Sequence, residues 1–166
     1  MPVTDTNYNS TLAITDVVNQ DGVFDVATAV RNCGMSQGAL YSLLNNIITN
    51  FNLCTAKLDA DAGVTDTDYA ANCDLSTLAS RVMSANGIHQ SDLAACLAEI
   101  ETNFEILTAQ LDADAGVTDT DYAASLDFNM NTAKIKANGI DQGSVVSYLQ
   151  TVITAINGLL TKLDAD

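Results

Sequence analysis

A peptide of 14 residues, LDADAGVTDTDYAA, occurs at Leu58–Ala71 and again without change at Leu111–Ala124. Parts of it also stand near both ends of the chain, as Val3–Thr6 (VTDT) and Leu163–Asp166 (LDAD). Repetition at a fixed spacing is typical of chains built from one structural unit used several times. We therefore divide the 166 residues into three units of one continuous domain, numbered 1–63, 64–116 and 117–166.

Between these repeated peptides, which we call connectors, apolar residues recur at alternating spacings of 4 and 3. This pattern places them on one face of an α-helix, as in the seam through which packed helices meet. It predicts three long helices of about 20 residues, each roughly 30 Å long. Thr108 lies off the seam, on a face that we expect to be exposed. The predicted seam positions are Leu40, Leu44, Ile47, Phe51, Cys54 and Leu58; Leu93, Leu97, Ile100, Phe104, Leu107 and Leu111; and Val145, Leu149, Val152, Ile156, Leu159 and Leu163.

A glycine precedes each long helix, at Gly34, Gly87 and Gly139. Glycine commonly follows the last residue of a helix, so a shorter helix is expected to end at each of these positions. In the second unit, this short helix is capped by Asp74 and has an apolar face formed by Leu75, Leu78, Val82 and Ala85.

In the connectors, Thr65 and Thr118 stand three residues before Asp68 and Asp121. This spacing indicates helix N-caps with an acidic residue in the first turn. The predicted fold class is all-α, an elongated helical bundle built from three short-helix/long-helix repeats. Its long helices run parallel, and the short helices return antiparallel.

The charge of the chain excludes two classes of partner. With 21 acidic and 6 basic residues, the net charge is −15, which repels nucleic acid and anionic membranes. The N-terminus lacks the basic and apolar regions of a secretory signal. The stretch Ser144–Thr161 has no charged residue, but polar residues interrupt it, so we expect no membrane span.

The acidic connectors are the strongest candidate for a metal site. Their carboxylates suit calcium, but the position at which an EF-hand loop places a bidentate Glu, counted from Asp59, is Ala70. We therefore expect no metal and no cofactor, with the carboxylates capping helices and keeping the chain soluble. The calcium candidates of the alternative interpretation are Asp59, Asp61, Asp66, Asp68, Asp112, Asp114, Asp119 and Asp121.

No catalytic residue is predicted, and we expect that the protein is not an enzyme. The single His, His89, has Ser36 and Asp141 at the equivalent positions, and no common nucleophile, phosphate-binding or zinc motif is present. Tyr69 and Tyr122 are interpreted as packing anchors whose hydroxyls reach water. The cysteines lack zinc-site spacing and are expected to be buried thiols: Cys33, Cys54, Cys73 and Cys96.

The connector sequence, with Lys57 or Gln110 before it, resembles a segment found in virion structural proteins of tailed bacteriophages, particularly marine and cyanobacterial phages. The resemblance covers about a fifth of the chain and carries over no catalytic residue. It implies localisation in the virion, as an auxiliary head component (decoration, cement or fibre base). A tail or connector accessory, a calcium-dependent helical adaptor, and an enzyme with a site not visible in the sequence are the alternatives. The additional stretch Asn19–Phe24 departs from the repeat.

The predicted partners are other virion proteins and further copies of this chain. The third long helix has more apolar residues than one seam requires, including Val146, Tyr148, Ile153 and Leu160. Left exposed, this surplus would form an aggregation-prone patch. The sequence therefore predicts self-association as a trimer or another cyclic oligomer, unless the short helices of the same chain cover the surplus.

Overall fold

The structure, a computed structural model, describes residues 2–14, 37–78, 83–84, 87–88, 90–129 and 142–166. Within these residues it contains three long and three short α-helices and a two-stranded antiparallel hairpin of two residues per strand. The predicted all-α fold class is confirmed. In chain order the elements are α1 (Tyr8–Leu12), α2 (Gln37–Ala60), α3 (Tyr69–Cys73), β1 (Met83–Ser84), β2 (Gly87–Ile88), α4 (Gln90–Ala113), α5 (Tyr122–Leu126) and α6 (Gln142–Ala165).

The three long helices α2, α4 and α6 are each 24 residues long and bury the predicted seams. Every predicted seam residue is at most 1 % exposed. The 4-3 spacing keeps these side chains on one helix face, and that face lies in the single cluster of buried residues. The core therefore runs the length of the long helices, as the sequence indicated.

Each short helix fills the space between two long ones. Helix α3 contacts α2 and α4, α5 contacts α4 and α6, and α1 contacts α6 and α2. Each begins with a tyrosine whose ring is completely buried, at Tyr8, Tyr69 and Tyr122. The helices therefore alternate long and short around a closed ring, in which α1 occupies the gap between the last long helix and the first.

In the second unit, the short helix does not lie where the glycine pattern predicted. In the second unit the helix directly follows the connector and ends at Cys73, because Asp74 adopts an extended backbone with φ −58° and ψ 139°. The backbone of Leu75 is then held by both ends of the Asn52 amide, at 2.7 and 2.9 Å. Gly87 starts strand β2 of the hairpin and does not end a helix. The predicted positions Val82, Ala85, Gly34 and Gly139 lie outside the described residues.

The prediction that Thr108 is exposed is also wrong, since this residue is 0 % exposed. Its hydroxyl donates to a carboxylate oxygen of Asp127 at 2.6 Å, and Thr55, also fully buried, donates in the same way to Asp74. A buried hydroxyl is tolerated when it is hydrogen-bonded. Where α1 contacts α6, the residues at the two equivalent positions are Ala13 and Leu160, which are both apolar.

The surplus apolar residues of α6 are covered by the same chain, which was the alternative to burial through self-association. Self-association itself stays a prediction, without this surplus as its reason. Leu160 and Ile153 are 0 % and 8 % exposed, and Val146 and Tyr148 pack against the core while partly buried. Short helices α1 and α5 both contact α6. None of the helices within the described ranges is long and apolar enough to span a membrane.

Candidate functional site: a ring of acidic connectors

The three connector regions meet at one end of the bundle through buried carboxylates. Asp114, at the end of α4, is 7 % exposed and binds the preceding connector. Its oxygens accept hydrogen bonds from the backbone N–H groups of Thr65 (3.1 Å) and Asp66 (2.9 Å) and from the Tyr69 hydroxyl (2.8 Å). The Thr65 hydroxyl and the Gly116 N–H (2.7 Å) donate to it as well.

The same set of contacts occurs at Asp61, at the end of α2. This carboxylate accepts from the N–H (2.9 Å) and hydroxyl (2.6 Å) of Thr4 and from the N–H of Asp5 (2.9 Å). The Tyr8 hydroxyl donates at 3.2 Å and the Gly63 N–H at 2.8 Å. The N-terminal segment therefore contacts the first connector as the first connector contacts the second.

Asp166 completes the ring at the end of α6. It accepts hydrogen bonds from the N–H groups of Thr118 (3.1 Å) and Asp119 (3.3 Å) and from the Tyr122 hydroxyl (3.0 Å). Since all three long helices end in carboxylates that bind a neighbouring connector, their C-terminal ends lie together. The long helices therefore run in the same direction.

A second set of carboxylates caps the short helices. Asp59 accepts from the first two N–H groups of α3, those of Tyr69 (2.7 Å) and Ala70 (3.1 Å). Asp112 binds the first two N–H groups of α5 in the same way, at 2.7 and 3.0 Å. Free N–H groups at a helix start, together with the helix dipole, favour a carboxylate at that position.

The cap of α1 comes from the other end of the chain. Asp164 accepts from Tyr8 N–H at 2.6 Å and Asn9 N–H at 3.0 Å, across sequence separations of 156 and 155. In the two continuous connectors the separations are 10 and 11. If Asp166 were followed directly by Met1, the separations at Asp164 would also be 10 and 11. The two end segments therefore supply a third connector in two pieces.

Glycine allows the connectors to approach one another. A Cβ added to Gly116 would lie 2.2 Å from the carbonyl oxygen of Gly63, and a Cβ on Gly63 would lie 2.0 Å from that of Pro2. Both contacts are to backbone, which cannot move aside as a flexible side chain can. Only a residue without a side chain fits at these two positions.

The residue before each LDAD sequence forms an outer layer of contacts. Lys57 pairs with Asp5, Lys162 pairs with Asp119 and Asp121, and Gln110 donates to Asp66 at 2.9 Å and to Asp68 at 2.7 Å. The ammonium groups of Lys57 and Lys162 also lie 4.4 and 4.8 Å from the ring centroids of Tyr8 and Tyr122. Each of these side chains thus joins a long helix to the preceding connector.

The hydrogen bonds determine the charge state of the ring. Burial alone would raise the pKa of Asp61 and Asp114, but the donated hydrogen bonds outweigh it and hold both pKa values below their usual range. Burial and the neighbouring carboxylates raise the pKa of Tyr8, Tyr69 and Tyr122 well above its usual value. At neutral pH, Asp61 and Asp114 are therefore ionised, while the three tyrosine hydroxyls are neutral.

All eight calcium candidates have partners within the protein. Asp59 and Asp112 bind helix N–H groups, Asp61 and Asp114 bind connector donors, and the other four bind Gln110 or Lys162. Among the side chains that the structure describes, no group of three or more His, Cys, Asp or Glu is placed to hold a metal ion. The carboxylate oxygens face N–H and O–H donors, which is the opposite of the arrangement a cation needs.

Several predicted roles change in the structure. Thr65 and Thr118 do not cap helices, because they donate to the carboxylate of the next long helix; Asp68 and Asp121 take the N-cap position without a side-chain cap bond. Tyr69 and Tyr122 are packing anchors, but their hydroxyls bind Asp114 and Asp166 instead of water. Cys54, Cys73 and Cys96 are buried thiols, as predicted. His89 and Cys33 lie outside the described residues.

A groove of about 300 Å³ lies between α5 and α6. The described residues that line it include Phe128, Gln150 and Thr154, and none of its lining side chains titrates. The lining includes the hydroxyls of Ser125, Thr151 and Thr154, but no acidic or basic side chain that could activate them.

Sequence reasoning missed the roles of Asp164, Asp166 and Asn157. The amide of Asn157 binds both backbone polar groups of Ile14, at 2.8 and 2.9 Å, as that of Asn52 binds Leu75. The VTDT and LDAD fragments at the two ends were a signal that could have revealed the third connector. Comparison of the chain with models of protein families, with curated proteins and with solved structures gives no match.

Proposed function

We propose that this protein is an architectural component and that its connectors act as structural clasps instead of a catalytic or metal-binding site. One observation carries the proposal: the buried Asp61 and Asp114 are saturated with hydrogen bonds from a neighbouring connector. A carboxylate used for catalysis or for binding a cation needs a free oxygen facing a cleft. These carboxylates instead join one part of the chain to another.

The resemblance of the connectors to segments of tailed-phage virion proteins supports a location in the virion. Within that setting we propose an auxiliary head component, and a tail or connector accessory is the second choice. A decoration or cement protein requires a rigid, soluble body that is displayed in many copies. Here, the closed ring of helices supplies the rigidity, and the net charge of −15 favours solubility at high density.

The threefold arrangement of the chain adds a geometric reason for an auxiliary role. Three long helices of 24 residues alternate with three short helices around one axis. Such a body presents three similar edges and can therefore contact three equivalent neighbours of a symmetric shell without forming a trimer itself.

Quantitative mass spectrometry of purified phage particles tests the proposal. Particles are banded on a density gradient, and tryptic peptides of this chain are counted against those of the major capsid protein. We expect the chain to band with intact particles at many copies each, and more with emptied heads than with detached tails. Its recovery only in the unbanded lysate would contradict the proposal.

The calcium-dependent adaptor of the alternative interpretation has no specific support in the geometry. A cation at Asp61 or Asp114 would have to displace N–H donors that lie 2.7 to 3.1 Å from the carboxylate oxygens. Those donors would then be left unpaired in a buried place, which is costly.

A further inference from the structure

The third connector consists of two segments that are far apart in the sequence, and hydrogen bonds such as those from Tyr8 and Asn9 to Asp164 hold them together. The N-terminal segment 2–14, which we call the arm, lies between α6 and α2 and buries Val3, Tyr8, Leu12 and Ile14 to 6 % exposure or less. Asp61 and Asp164 hold its backbone, and Asn157 binds Ile14. We define the arm groove as the surface of α2 and α6 that includes Asp61, Lys57, Asn157 and Asp164.

The arm groove is complementary to one particular kind of peptide. Asp61 selects a threonine that offers its N–H and hydroxyl together, and a tyrosine whose hydroxyl reaches the same carboxylate. Lys57 binds an acidic residue next to that threonine, and Asp164 binds the start of a short helix. The other two connectors make the same contacts with Thr65 and Tyr69 and with Thr118 and Tyr122.

We propose that the arm groove also binds the arm of a second copy of this chain, so that neighbouring copies become linked by exchanging arms. An exchanged arm makes every contact that the closed chain makes, because the groove and the peptide are unchanged. Exchange of an identical element is a low-cost route to association for this reason. The inference rests on the contacts alone and does not depend on the proposed function.

Chain length and concentration decide between the closed and exchanged forms. The arm is joined to α2 through the 22 residues numbered 15–36, a length of chain that spans at most about 75 Å. Because the arm and its groove belong to the same chain, the arm has a local concentration on the order of millimolar at its own groove. The closed monomer therefore dominates at micromolar concentration, and exchange becomes substantial where copies are crowded to millimolar density.

The salt bridge between Lys57 and Asp5 provides a direct test in the full chain. Equal amounts of unlabelled and nitrogen-15-labelled protein are unfolded together, refolded at concentrations from micromolar to millimolar, and treated with a carbodiimide, which joins an ammonium to a carboxylate it touches. Mass spectrometry then distinguishes Lys57–Asp5 links within one copy from mixed-isotope links between copies. We expect the mixed fraction to rise roughly in proportion to concentration until exchange approaches completion.

The pair Lys162–Asp119 is the matched internal control, because neither residue belongs to the arm. Its links should remain within one isotope at every concentration. Mixed links at both pairs would overturn the proposal in favour of a larger rearrangement. Mixed links at neither pair, with the helix content recovered on refolding, would show that the arm groove accepts only the arm of its own chain.

A variant separates exchange from simple loss of structure. Asp164→Asn weakens the cap of α1 equally in the closed and exchanged forms, so the equilibrium mixed fraction should stay the same. The rate at which previously folded copies become mixed should rise several-fold, since the arm leaves its groove more often. Glu105→Gln, at an exposed position of α4, should change neither quantity. An unchanged mixing rate in Asp164→Asn would contradict arm release as the route.

Discussion

The two continuous connectors and the split one use the same atoms in different covalent settings. In the continuous connectors, Asp59 and Asp112 cap helices that begin 10 residues later; at the split one, Asp164 caps Tyr8 from 156 residues away. The contacts are equivalent, so the geometry of the ring, and not chain continuity, determines the connector sequence. Because Asp114 binds Thr65 and Tyr69 of the preceding connector, a change in one connector disturbs contacts with another. This mutual dependence accounts for identical connectors beside helices whose sequences differ.

The largest expected loss of stability comes from changes in the hydrophobic core, to which all three long helices contribute. Phe104→Ala should lower the free energy of unfolding by about 3–5 kcal/mol, because the ring is fully buried and its removal leaves a cavity. Phe51→Ala, at the equivalent position of α2, should have a similar effect. Urea unfolding measures both. The exposed Thr102→Ala is the control, and a loss of equal size there would show that the helix faces are wrongly assigned.

Removing one ring carboxylate tests whether Asp114, in a continuous connector, and Asp166, in the split one, bind the preceding connector equally strongly. Asp114→Asn should cost about 2–4 kcal/mol, since charge-assisted bonds are lost and buried donors are left poorly paired. Asp166→Asn should cost about 1 kcal/mol, because this site is more exposed and accepts fewer bonds. Thermal or urea unfolding compares the two variants. Equal losses would mean that Asp166 holds the second continuous connector as tightly as Asp114 holds the first.

Acid should weaken the ring through the same carboxylates. The pKa values of Asp61 and Asp114 are lowered in the folded state, so the unfolded chain binds protons first as the pH falls. Their contribution is complete above the unfolded value, about 3.9, and is lost as the pH falls through the lower folded pKa. Melting temperatures between pH 2 and pH 6 should therefore decrease toward acid, and less steeply in Asp114→Asn. Identical slopes would exclude Asp114 as a source.

Alkali should act through the tyrosines, in the opposite sense. Burial raises the pKa of Tyr8, Tyr69 and Tyr122, so these phenols stay neutral in the folded state while the unfolded chain ionises. Stability should therefore fall as the pH rises above about 10. Tyr69→Phe, compared with the native chain between pH 8 and pH 11, should show a shallower decrease. A decrease of the same slope would assign the effect to other groups.

A smaller effect concerns the polar pair Thr55 and Asp74, which corresponds to an apolar pair beside the split connector. Thr55→Leu or Asp74→Ala alone should cost about 1–2 kcal/mol, because each breaks the hydrogen bond from the buried Thr55 hydroxyl to Asp74. The double variant reproduces the Leu160 and Ala13 pair of the split connector and should recover most of that loss. Urea unfolding of the four chains provides the double-mutant cycle. Additive losses would indicate that the two positions do not depend on each other.

The smallest expected effect is that of calcium. Since the connector carboxylates face N–H donors, melting temperatures in EDTA and in millimolar Ca²⁺ should nearly coincide. Circular dichroism melts at matched ionic strength measure this, with Mg²⁺ as the control for charge screening. A large rise specific to Ca²⁺ would restore the calcium-dependent adaptor.

The sequence predicted the core better than the ring, for a physical reason. A seam such as Leu93, Leu97 and Ile100 depends only on the geometry of its own helix, so spacing was sufficient. Thr108 is buried with its hydroxyl bonded to Asp127, a residue of the next unit. The spacing of apolar residues along one helix carries no information about a partner in another unit. Asp59 was among the carboxylates expected to cap helices, and it does so. Thr65 was predicted to be an N-cap, but it donates to Asp114, which is 49 residues away in the sequence. Contacts between units were the part that local patterns could not provide.

The distance in sequence between Asp164 and Tyr8 also has a consequence for the order of folding. Closing a loop of 156 residues in an unfolded chain costs about 2 kcal/mol more than closing one of 10, by the logarithmic dependence of loop entropy on length. The continuous connectors therefore form early, while the helices beside them are assembling. We therefore expect segment 2–14 to dock last, onto long helices that are already in place. We expect it to be the first part to open in the native state, so that amide hydrogens at Tyr8 and Asn9 exchange sooner than those at Tyr69 and Ala70.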